Sequence, residues 1–289
     1  MDYIFTLNQM LTARGLTPNT IRSYHTYLKP YLDYLSTHAV LPEDASWQDM
    51  RDFLSFIQKS RCLSDRTVNM IISHLQFFQI YVMHKDWDMT QIPFRRFDVF
   101  LPFVPSRAQV AQFLDSISDR KVRLAVSILY ACGFRLDELC HLHCEDIISS
   151  SKKIHIRRSK NHTDRYVPMP DSIWKMILDY WYSFPTGRRP KEWLFTQQRS
   201  LDNPMDKQWI QTKILKHRTS MHMDGRLTAH SFRHAYATHS YENGMDLLTL
   251  QAFMGHNCID STIRYVHLAA AQTPGVANPF DQLGGAARG

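Results

Sequence analysis

Apolar residues recur every three to four positions through the first ninety residues, which is the spacing of one buried face of an α-helix. The segment after Gly15 shows this clearly, and its apolar set is Ile21, Tyr24, Leu28, Leu32 and Leu35. Three of the four periodic segments begin at a hydroxyl residue that can cap a helix, namely Thr17, Ser46 and Ser64. The pattern predicts a four-helix domain over residues 1–90.

The helical periodicity disappears between residues 91 and 105, where prolines and arginines accumulate, so we expect a linker there. It returns at Ser106, which has the capping-box spacing to Gln109. Residues 271–289 are rich in Gly, Ala and Pro, which favours an irregular tail. We therefore expect a second domain over residues 106–270.

One segment of the second domain alternates apolar and polar residues in the manner of a β-strand. Ile154 and Ile156 alternate with polar residues, a polar turn follows, and the alternation returns from Tyr166 to Met169. This pattern predicts a β-hairpin within a helical domain. The expected fold class is therefore mainly α, in two domains, with one small β-hairpin or sheet.

The overall charge is positive, since 34 lysines and arginines face 27 aspartates and glutamates and give a formal net charge of +7. This balance favours a polyanionic partner such as nucleic acid. The five cysteines are odd in number and scattered, which argues against a disulfide framework and for a reducing compartment. No segment has the pattern of a membrane span or of a secretory leader. We expect a cytoplasmic, nucleoid-associated protein without a membrane partner.

The first candidate for chemistry is a Gly-x-Arg-x-x-Glu-Leu pattern between Gly133 and Leu139. The planar guanidinium of Arg135 can bind two phosphate oxygens at once and stabilise the charge that develops on a phosphorus under attack. Glu138 lies one helical turn later and can support groups of such a site. The same two residues could instead form an ordinary i,i+3 ion pair on a helix that follows a glycine stop.

A second candidate is the sequence His230-x-x-Arg233-His234, whose spacing places an imidazole and a guanidinium on one face of a helix. Histidine pairs at this spacing also suit zinc, and a Cys-His-x-His-Cys cluster occurs at residues 140–144. No second Cys or His pair stands at a zinc-finger spacing, so no metal site is expected.

A third candidate lies near the end of the second domain. Gly255 is expected to end a helix in a left-handed conformation and to direct His256 inward, where an imidazole can donate to a phosphate oxygen. Tyr265 follows nine residues later. Taken alone, Tyr265 would be a packing residue, because aromatic residues at helical spacing usually are.

In their order along the chain, these patterns are similar to the catalytic signature of the tyrosine recombinase, or phage integrase, family, of which the Xer recombinases are a branch. The most specific match runs from Thr228 to Thr238 and resembles the family's His-x-Leu-Arg-His box. The resemblance implies an N-terminal SAM-like core-binding domain that contacts DNA and a C-terminal integrase catalytic domain. The N-terminal helices match the family in pattern and position.

The resemblance also implies a role for each candidate residue. Arg135 and Arg233 would clamp the scissile phosphate, and Tyr265 would attack the phosphorus. His230 would serve as an acid-base or hydrogen-bonding group, and His256 would donate to a phosphate oxygen.

Two further residues receive a role from the same resemblance. In the family a lysine in the hairpin turn protonates the departing 5′ oxygen, and here that residue would be Lys160. Its basic neighbours Lys152, Arg157 and Arg158 are alternatives for this role. Glu138 would support the site without contacting DNA.

With these roles the chain would be a site-specific DNA recombinase that cleaves and rejoins strands through a 3′-phosphotyrosyl intermediate, in integration, excision, transposition or chromosome-dimer resolution. The covalent link retains the phosphoester bond energy, and basic side chains supply the positive charge, so no cofactor is expected. The implied partner is double-stranded DNA with a short inverted-repeat core site, bound by a homotetramer or by a heterotetramer with a related recombinase. Two alternatives are a type IB topoisomerase-like enzyme and a catalytically silent DNA-binding accessory protein.

Polar residues of the N-terminal helices are candidate contacts to the DNA backbone or grooves. They are Thr17, Thr20, Arg22, Arg66 and Asn69. The same residues could equally form a solvated helix surface, which is the usual place of polar side chains.

Overall fold

The computed structural model describes residues 2–98, 100–157, 164–197 and 200–272, with only the backbone for residues 270–272. The chain divides into two compact units, residues 1–100 and 101–289. Each unit has its own hydrophobic core.

The first unit contains the helices α1 (Tyr3–Ala13), α2 (Pro18–Thr37), α3 (Trp47–Arg61) and α4 (Asp65–Tyr81). The side chains of Thr17, Ser46 and Ser64 cap α2, α3 and α4, which confirms the predicted helix starts. The apolar faces of the helices meet in one core, whose largest fully buried side chains are Tyr31, Phe53 and Phe78.

The beginning of the expected linker packs against this first unit. Ile92 is buried in the core of the unit. On α4, the side-chain amide of Asn69 donates to the carbonyl oxygen of Arg95 (2.9 Å) and accepts from its backbone N–H (2.8 Å). The guanidinium of Arg95 also pairs with Asp65 at 3.0 Å. These contacts fix residues 92–95 on the surface of α4.

In the described part of the second unit the chain forms eight helices and three strands. The helices are α5 (Arg107–Ser116), α6 (Arg120–Cys132), α7 (Leu136–Cys140), α8 (Asp171–Tyr182), α9 (Lys207–Ser220), α10 (Ala229–Glu242), α11 (Leu247–Met254) and α12 (Asp260–Gln272). Ser106 caps α5 in a capping box with Gln109, as predicted. Helices α6 and α10 pack together and are buried along most of their length.

The three strands form one small antiparallel sheet in the order β1 (Ile147–Ile148), β2 (Lys153–Ile156), β3 (Arg165–Pro168). Strands β2 and β3 are the predicted hairpin, with Ile154 opposite Val167. Strand β1 was not expected. It has two residues, which is too short to show an alternating pattern.

The catalytic candidates lie near two helix ends that share one geometry. Helix α6 ends at Gly133 (φ 64°) and helix α11 ends at Gly255 (φ 60°), both in the left-handed conformation that glycine adopts without a steric penalty. The predicted helix end at Gly255 is thus confirmed. Each glycine redirects the chain sharply, so that Arg135 and His256 follow within two residues of a helix end.

Two expectations concern the membrane and the tail. Within the described ranges, no helix has both the length and the apolar content that a bilayer span requires. Helix α12 continues to Gln272, and the remainder of the expected tail, residues 273–289, lies outside the described residues.

Candidate active site

Five of the six predicted catalytic residues lie close together in the second unit. Arg135 is the residue that precedes α7, His230 and Arg233 lie on α10, His256 directly follows the glycine at the end of α11, and Tyr265 lies on α12. The sixth, Lys160, lies outside the described residues.

The end of helix α11 is surrounded by arginines. Its last carbonyl oxygens have no partner within the helix and need donors from elsewhere. Three consecutive carbonyls each accept from a different guanidinium: Phe253 from Arg165 (2.8 Å), Met254 from Arg233 (2.6 Å) and Gly255 from Arg135 (2.8 Å). Cations are favourable at a helix C-terminus because the helix dipole is negative there. This helix end therefore fixes three guanidinium groups beside His256.

The carboxylate of Glu138 balances these positive charges. Its side chain is only 6% exposed, and it accepts from Arg135 Nη1 (2.8 Å) and from two nitrogens of Arg165 (2.9 and 2.7 Å). Arg233 Nη1 lies 4.0 Å away. Burial alone would raise the pKa of Glu138, but the hydrogen bonds and charges of Arg165 and Arg135 outweigh it and lower the pKa. Glu138 is therefore an ionised counterion to three arginines.

Arg233 is almost fully buried, with 1% of the residue exposed. Besides the bond to Met254, its Nη1 donates to the carbonyl oxygen of Gly133, the residue that ends α6. Burial, and then the neighbouring Arg135, lower the pKa of Arg233 to about 9. The guanidinium stays protonated at neutral pH and joins the ends of helices α6 and α11.

His256 is held by hydrogen bonds on both ring nitrogens. Its Nε2 lies 3.3 Å from Arg233 Nη2, and its Nδ1 lies 2.9 Å from the hydroxyl of Thr262. Burial, followed by the charges of nearby arginines beginning with Arg233, lowers the pKa of His256 to about 3. The ring is therefore neutral. Because Arg233 can only donate, Nε2 is the acceptor, and the ring proton resides on Nδ1.

Tyr265 is buried, with 2% of the residue exposed. Its hydroxyl lies 3.1 Å from Nδ1 of His234, and its ring is stacked on His256 with a centroid distance of 6.2 Å and an interplanar angle of 13°. Burial raises the pKa of Tyr265, although Arg233 and other arginines oppose the shift. The phenol is therefore protonated at neutral pH, and it can attack a phosphate only if something removes its proton.

His230 is exposed at the start of α10, and its ring is partly surrounded by protein atoms. Its ring meets that of His234 edge to face, with a centroid distance of 4.3 Å. Partial burial, and then the charges of Arg233, Arg135 and Arg264, lower the pKa of His230. The imidazole of His230 is therefore favoured in its neutral form.

Two residues that contact the candidate site received no role from the sequence. They are Arg165, which binds Glu138, and His234, which lies beside Tyr265. For Arg165 a signal was present, because it stands two positions before the buried Val167 in a strand and so shares its inward face. For His234 the helical spacing was recognised, but its contact with a tyrosine 31 residues later could not be read from local sequence.

The competitors of Lys160 are partly accounted for. Arg157 pairs with Asp146 and Glu145, both at 2.7 Å, and Lys152 pairs with Asp171. Arg158, like Lys160, lies outside the described residues. Two of the three alternatives are thus engaged with carboxylates.

The cysteine and histidine cluster at residues 140–144 does not converge on one point. Cys140 is buried in the hydrophobic core, where burial raises the pKa of its thiol to about 12. His141 pairs with Asp137, while His143 stacks on Trp193. In the ranges that the structure covers, no three His, Cys, Asp or Glu side chains are arranged to hold a metal ion.

The candidate DNA contacts of the first unit differ in whether their side chains already form hydrogen bonds within the protein. The Thr17 hydroxyl caps α2 and is bonded to Thr20, and Arg22 donates to Asn19 at 3.1 Å on the exposed surface of α2. Arg66 is exposed on α4, whereas Asn69 uses both ends of its amide on the backbone of Arg95.

Comparison with known proteins gives the family. Residues 106–272 match the sequence model of the phage integrase family, and residues 6–89 match the model of the family's N-terminal SAM-like domain. The chain belongs to the phage integrase family. It is a tyrosine recombinase, and neither the topoisomerase nor the silent accessory protein is favoured by the relatives.

Relatives of this integrase-family chain extend over nearly its whole length. A putative integrase/recombinase of Sinorhizobium fredii, y4qK, is 26% identical over 96% of this chain and 88% of its own length. The tyrosine recombinase XerD of Staphylococcus aureus is 27% identical over 92% of this chain and 94% of its own length.

Solved structures agree with the fold of this integrase-family chain. The integrase of transposon Tn1549 in complex with circular intermediate DNA matches with a TM-score of 0.71 and 20% identity over 100% of both chains. A lambda integrase dimer bound to a COC′ core site matches with a TM-score of 0.73 and 15% identity, over 96% of this chain and 98% of that one. The predicted fold class, a helical SAM-like domain followed by a mainly helical catalytic domain with a small sheet, is confirmed.

Proposed function

We propose that this recombinase cuts and rejoins double-stranded DNA through a covalent bond between Tyr265 and a 3′ phosphate. The observation that carries the proposal is the position of the Tyr265 side chain, which contacts His234 and His256 beside the guanidinium of Arg233. A phenol among such groups can attack a phosphodiester in line with the departing 5′ oxygen. The related structures solved with DNA support the same substrate.

The two predicted arginines contribute in different ways. The side chain of Arg135 is 22% exposed, so part of its guanidinium is accessible and can bind a phosphate oxygen. The side chain of Arg233 is 2% exposed and acts mainly through its charge. Both stabilise the negative charge that grows on the phosphate as phosphorus becomes five-coordinate.

The remaining roles follow the resemblance. His230, which is exposed at the start of α10, would hydrogen-bond a phosphate oxygen. His256 would donate to the same phosphate, for which its Nδ1 must leave the hydroxyl of Thr262, because its Nε2 accepts from Arg233. Lys160, which lies between β2 and β3 in the sequence, would protonate the departing 5′ oxygen, and Glu138 would keep the arginines in position.

The hydroxyl of Tyr265 lies 3.1 Å from Nδ1 of His234 in its own chain, and the nearby charge of Arg233 acts on it. This position favours cleavage by each protomer with its own Tyr265. We further propose that four protomers bind two duplexes at an inverted-repeat core site. The mass of the purified complex should correspond to four chains and two duplexes, and a complex that never exceeds one chain per duplex would exclude this assembly.

The first unit would contact the DNA backbone through its exposed basic side chains. Arg22 on α2 and Arg66 on α4 have guanidiniums at the surface and can each bind a phosphate. Thr17 and Thr20 would contribute hydroxyls at the start of α2. Asn69 is a weaker candidate, because a contact with a base would require its amide to leave the Arg95 backbone.

A covalent adduct tests the proposal. The chain is mixed with a pool of nicked suicide duplexes whose arms are randomised, and protein-linked DNA is isolated under denaturing conditions. We expect an adduct with the wild-type chain and none with Tyr265→Phe, which lacks only the attacking oxygen. Tyr130→Phe is the matched control, because the hydroxyl of Tyr130 also lies 3.1 Å from Nδ1 of a histidine on α10, His239. An adduct that persists in Tyr265→Phe, or no adduct with any duplex, would refute the proposal.

A further inference from the structure

Both groups that hold the guanidinium of Arg135 are themselves in contact with a second arginine, Arg165. Nη1 of Arg135 donates to Oε1 of Glu138, and Nη2 donates to the carbonyl oxygen of Gly255, both at 2.8 Å. Arg165 binds the same carboxylate and packs against the same glycine. The position of Arg135 therefore depends on a residue that is 30 positions away in the sequence and belongs to the β-hairpin.

The contact between Arg165 and Glu138 is an ion pair with two parallel hydrogen bonds. Nη1 of Arg165 donates to Oε1 (2.9 Å) and Nη2 donates to Oε2 (2.7 Å), which fixes the orientation of the carboxylate as well as its distance. Burial by itself would raise the pKa of Glu138, and Arg165 is the strongest of the groups that lower it. Arg165 thus orients the carboxylate that Arg135 binds and keeps it ionised.

Arg165 also holds the end of helix α11. Its Nε donates to the carbonyl oxygen of Phe253 at 2.8 Å. The guanidinium lies so close to Gly255 that a Cβ at this glycine would be 2.9 Å from Nη1 of Arg165. These two contacts fix the residues on either side of the helix end, and with them the carbonyl of Gly255 that accepts from Arg135.

Arg165 itself offers little surface to DNA. Its side chain is 8% exposed, compared with 22% for Arg135. Each of its three guanidinium nitrogens donates to a protein oxygen. An effect of Arg165 on the reaction must therefore pass through the groups that it holds.

We propose that Arg165 is a positioning residue for DNA cleavage, which orients Arg135 toward the scissile phosphate through Glu138 and the end of α11. The proposal rests on the function proposed above, because it concerns the phosphate clamp of that reaction. Charge that develops on the phosphate is stabilised by donors that already point to it, so a displaced guanidinium stabilises it less. Arg165 thus affects the rate of cleavage and leaves the affinity for DNA unchanged.

Arg165→Lys tests this role with the charge retained. An ammonium group replaces the charge but not the planar set of bonds to Glu138 and Phe253. Single-turnover cleavage is measured on a nicked suicide duplex selected from the randomised pool. We expect the variant to cleave about 100-fold more slowly than wild type, a loss that a misplaced group can cause. In a Tyr265→Phe background, its affinity for the same duplex should stay within about threefold of that with Arg165 intact.

Arg107→Lys is the matched control. Arg107 on α5 likewise donates to a carbonyl at a helix end, that of His239 (3.2 Å), and to a carboxylate, that of Glu242 (3.1 Å). These contacts lie at the end of α10 that is remote in sequence from Arg233, and the side chain of Arg107 is more exposed, at 51%. Cleavage by Arg107→Lys should stay within about threefold of wild type.

A substrate without charge at the scissile position separates positioning from a general loss of structure. A methylphosphonate there lacks the negative charge of a phosphodiester, so its cleavage needs less stabilisation by Arg135. In Arg165→Lys and in Arg135→Ala alike, the ratio of the two cleavage rates should shift about tenfold in favour of the methylphosphonate. Arg107→Lys should keep the wild-type ratio. Because both rates come from one protein preparation, the ratio does not depend on the folded fraction.

A double-mutant cycle tests whether Arg165 acts through Arg135. In an Arg135→Ala background the guanidinium that Arg165 orients is absent. Arg165→Lys should then slow cleavage by no more than about threefold, whereas two independent losses would multiply.

The outcomes are distinct. If wild type forms no Tyr265-dependent adduct, the proposed function itself fails. If wild type forms the adduct, three results each refute the role of Arg165: cleavage by Arg165→Lys at the wild-type rate, a wild-type ratio on the two duplexes, or an undiminished further loss in Arg135→Ala. Should Arg165→Lys not fold at the assay temperature, the same ratio and cycle measured with Arg165→Gln decide the question.

Discussion

Among single residues, Glu138 supplies the negative charge that allows three guanidiniums to lie close together. Its carboxylate accepts from Arg135 and Arg165 and lies 4.0 Å from Arg233. Removal of one partner from a buried ion pair leaves an uncompensated charge, which usually costs more than the pair contributed. Glu138 therefore balances the charge of the surrounding arginines.

Replacement of Glu138 by glutamine tests this balance. Glu138→Gln keeps the shape but removes the charge, and we expect the second unit to lose about 3 kcal/mol of unfolding free energy in urea. The matched control is Glu242→Gln, whose carboxylate meets the half-exposed Arg107 at 3.1 Å and should cost about 1 kcal/mol or less. Equal losses in the two variants would contradict a central role for Glu138.

For single residues, sequence reasoning reaches only local patterns. Arg135 and Arg233 were predicted as candidate site residues because their motifs are local, but the partners that hold them are distant in the sequence. Arg135 binds the carbonyl of a residue 120 positions away, and Arg165 binds one 88 positions away. Such pairings depend on how helices pack, and no local pattern encodes them.

Among the secondary-structure elements, the local sequence was enough to predict the helix starts, but it was not enough to predict the shortest strand. The caps at Thr17, Ser46, Ser64 and Ser106 were predictable because a cap involves only the next three residues. Strand β1 forms because Ile147 and Ile148 pair with β2. Two residues are too few to show an alternating pattern, so this pairing could not be predicted from the sequence.

The end of helix α6 gives a prediction for an element. Gly133 has φ 64°, and a Cβ there would lie 2.4 Å from Cδ1 of Tyr236, a ring in the packed interface with α10. Gly244 has φ 90°, and a Cβ there would have no atom of the described residues within 4 Å beyond its own chain neighbours. Gly244→Ala should therefore cost about 1–2 kcal/mol for the backbone alone.

Gly133→Ala should cost roughly 2 kcal/mol more than Gly244→Ala, since helices α6 and α10 must also separate. Urea unfolding of both variants measures the difference. The close approach of α6 and α10 would be of no energetic importance if the two substitutions proved equally destabilising.

For the first unit as a whole, one buried histidine contributes to how stability responds to acid. In the first unit His74 is 5% exposed, its Nδ1 has no hydrogen-bond partner among the described residues, and burial lowers its pKa to about 4. Below pH 6.5 the unfolded chain takes up a proton that the folded unit resists. Stability is therefore complete above pH 6.5 and falls as the pH drops toward 4, by about 3 kcal/mol in total.

His74→Phe should flatten this part of the pH profile. The ring stacks on Tyr24 with a centroid distance of 4.0 Å, so phenylalanine keeps the contact and removes the titration. Hydrogen exchange of α4 peptides, corrected for the intrinsic pH dependence of exchange, reports the stability of this unit alone. His84→Gln, at an exposed position, is the control and should retain the acid sensitivity. An unchanged acid response in His74→Phe would assign the effect to other groups.

The bonds of Arg233 to Gly133 and Met254 have a practical meaning for anyone who wants an inert version of this enzyme. A substitution at Arg233 would leave two carbonyl oxygens without their hydrogen-bond donor. We expect the surrounding structure to rearrange, so crystals or binding curves of such a variant would describe a changed protein. Tyr265→Phe deletes one oxygen and one hydrogen bond. Under the function proposed above, it is the variant expected to give a stalled DNA complex while the surrounding architecture stays intact.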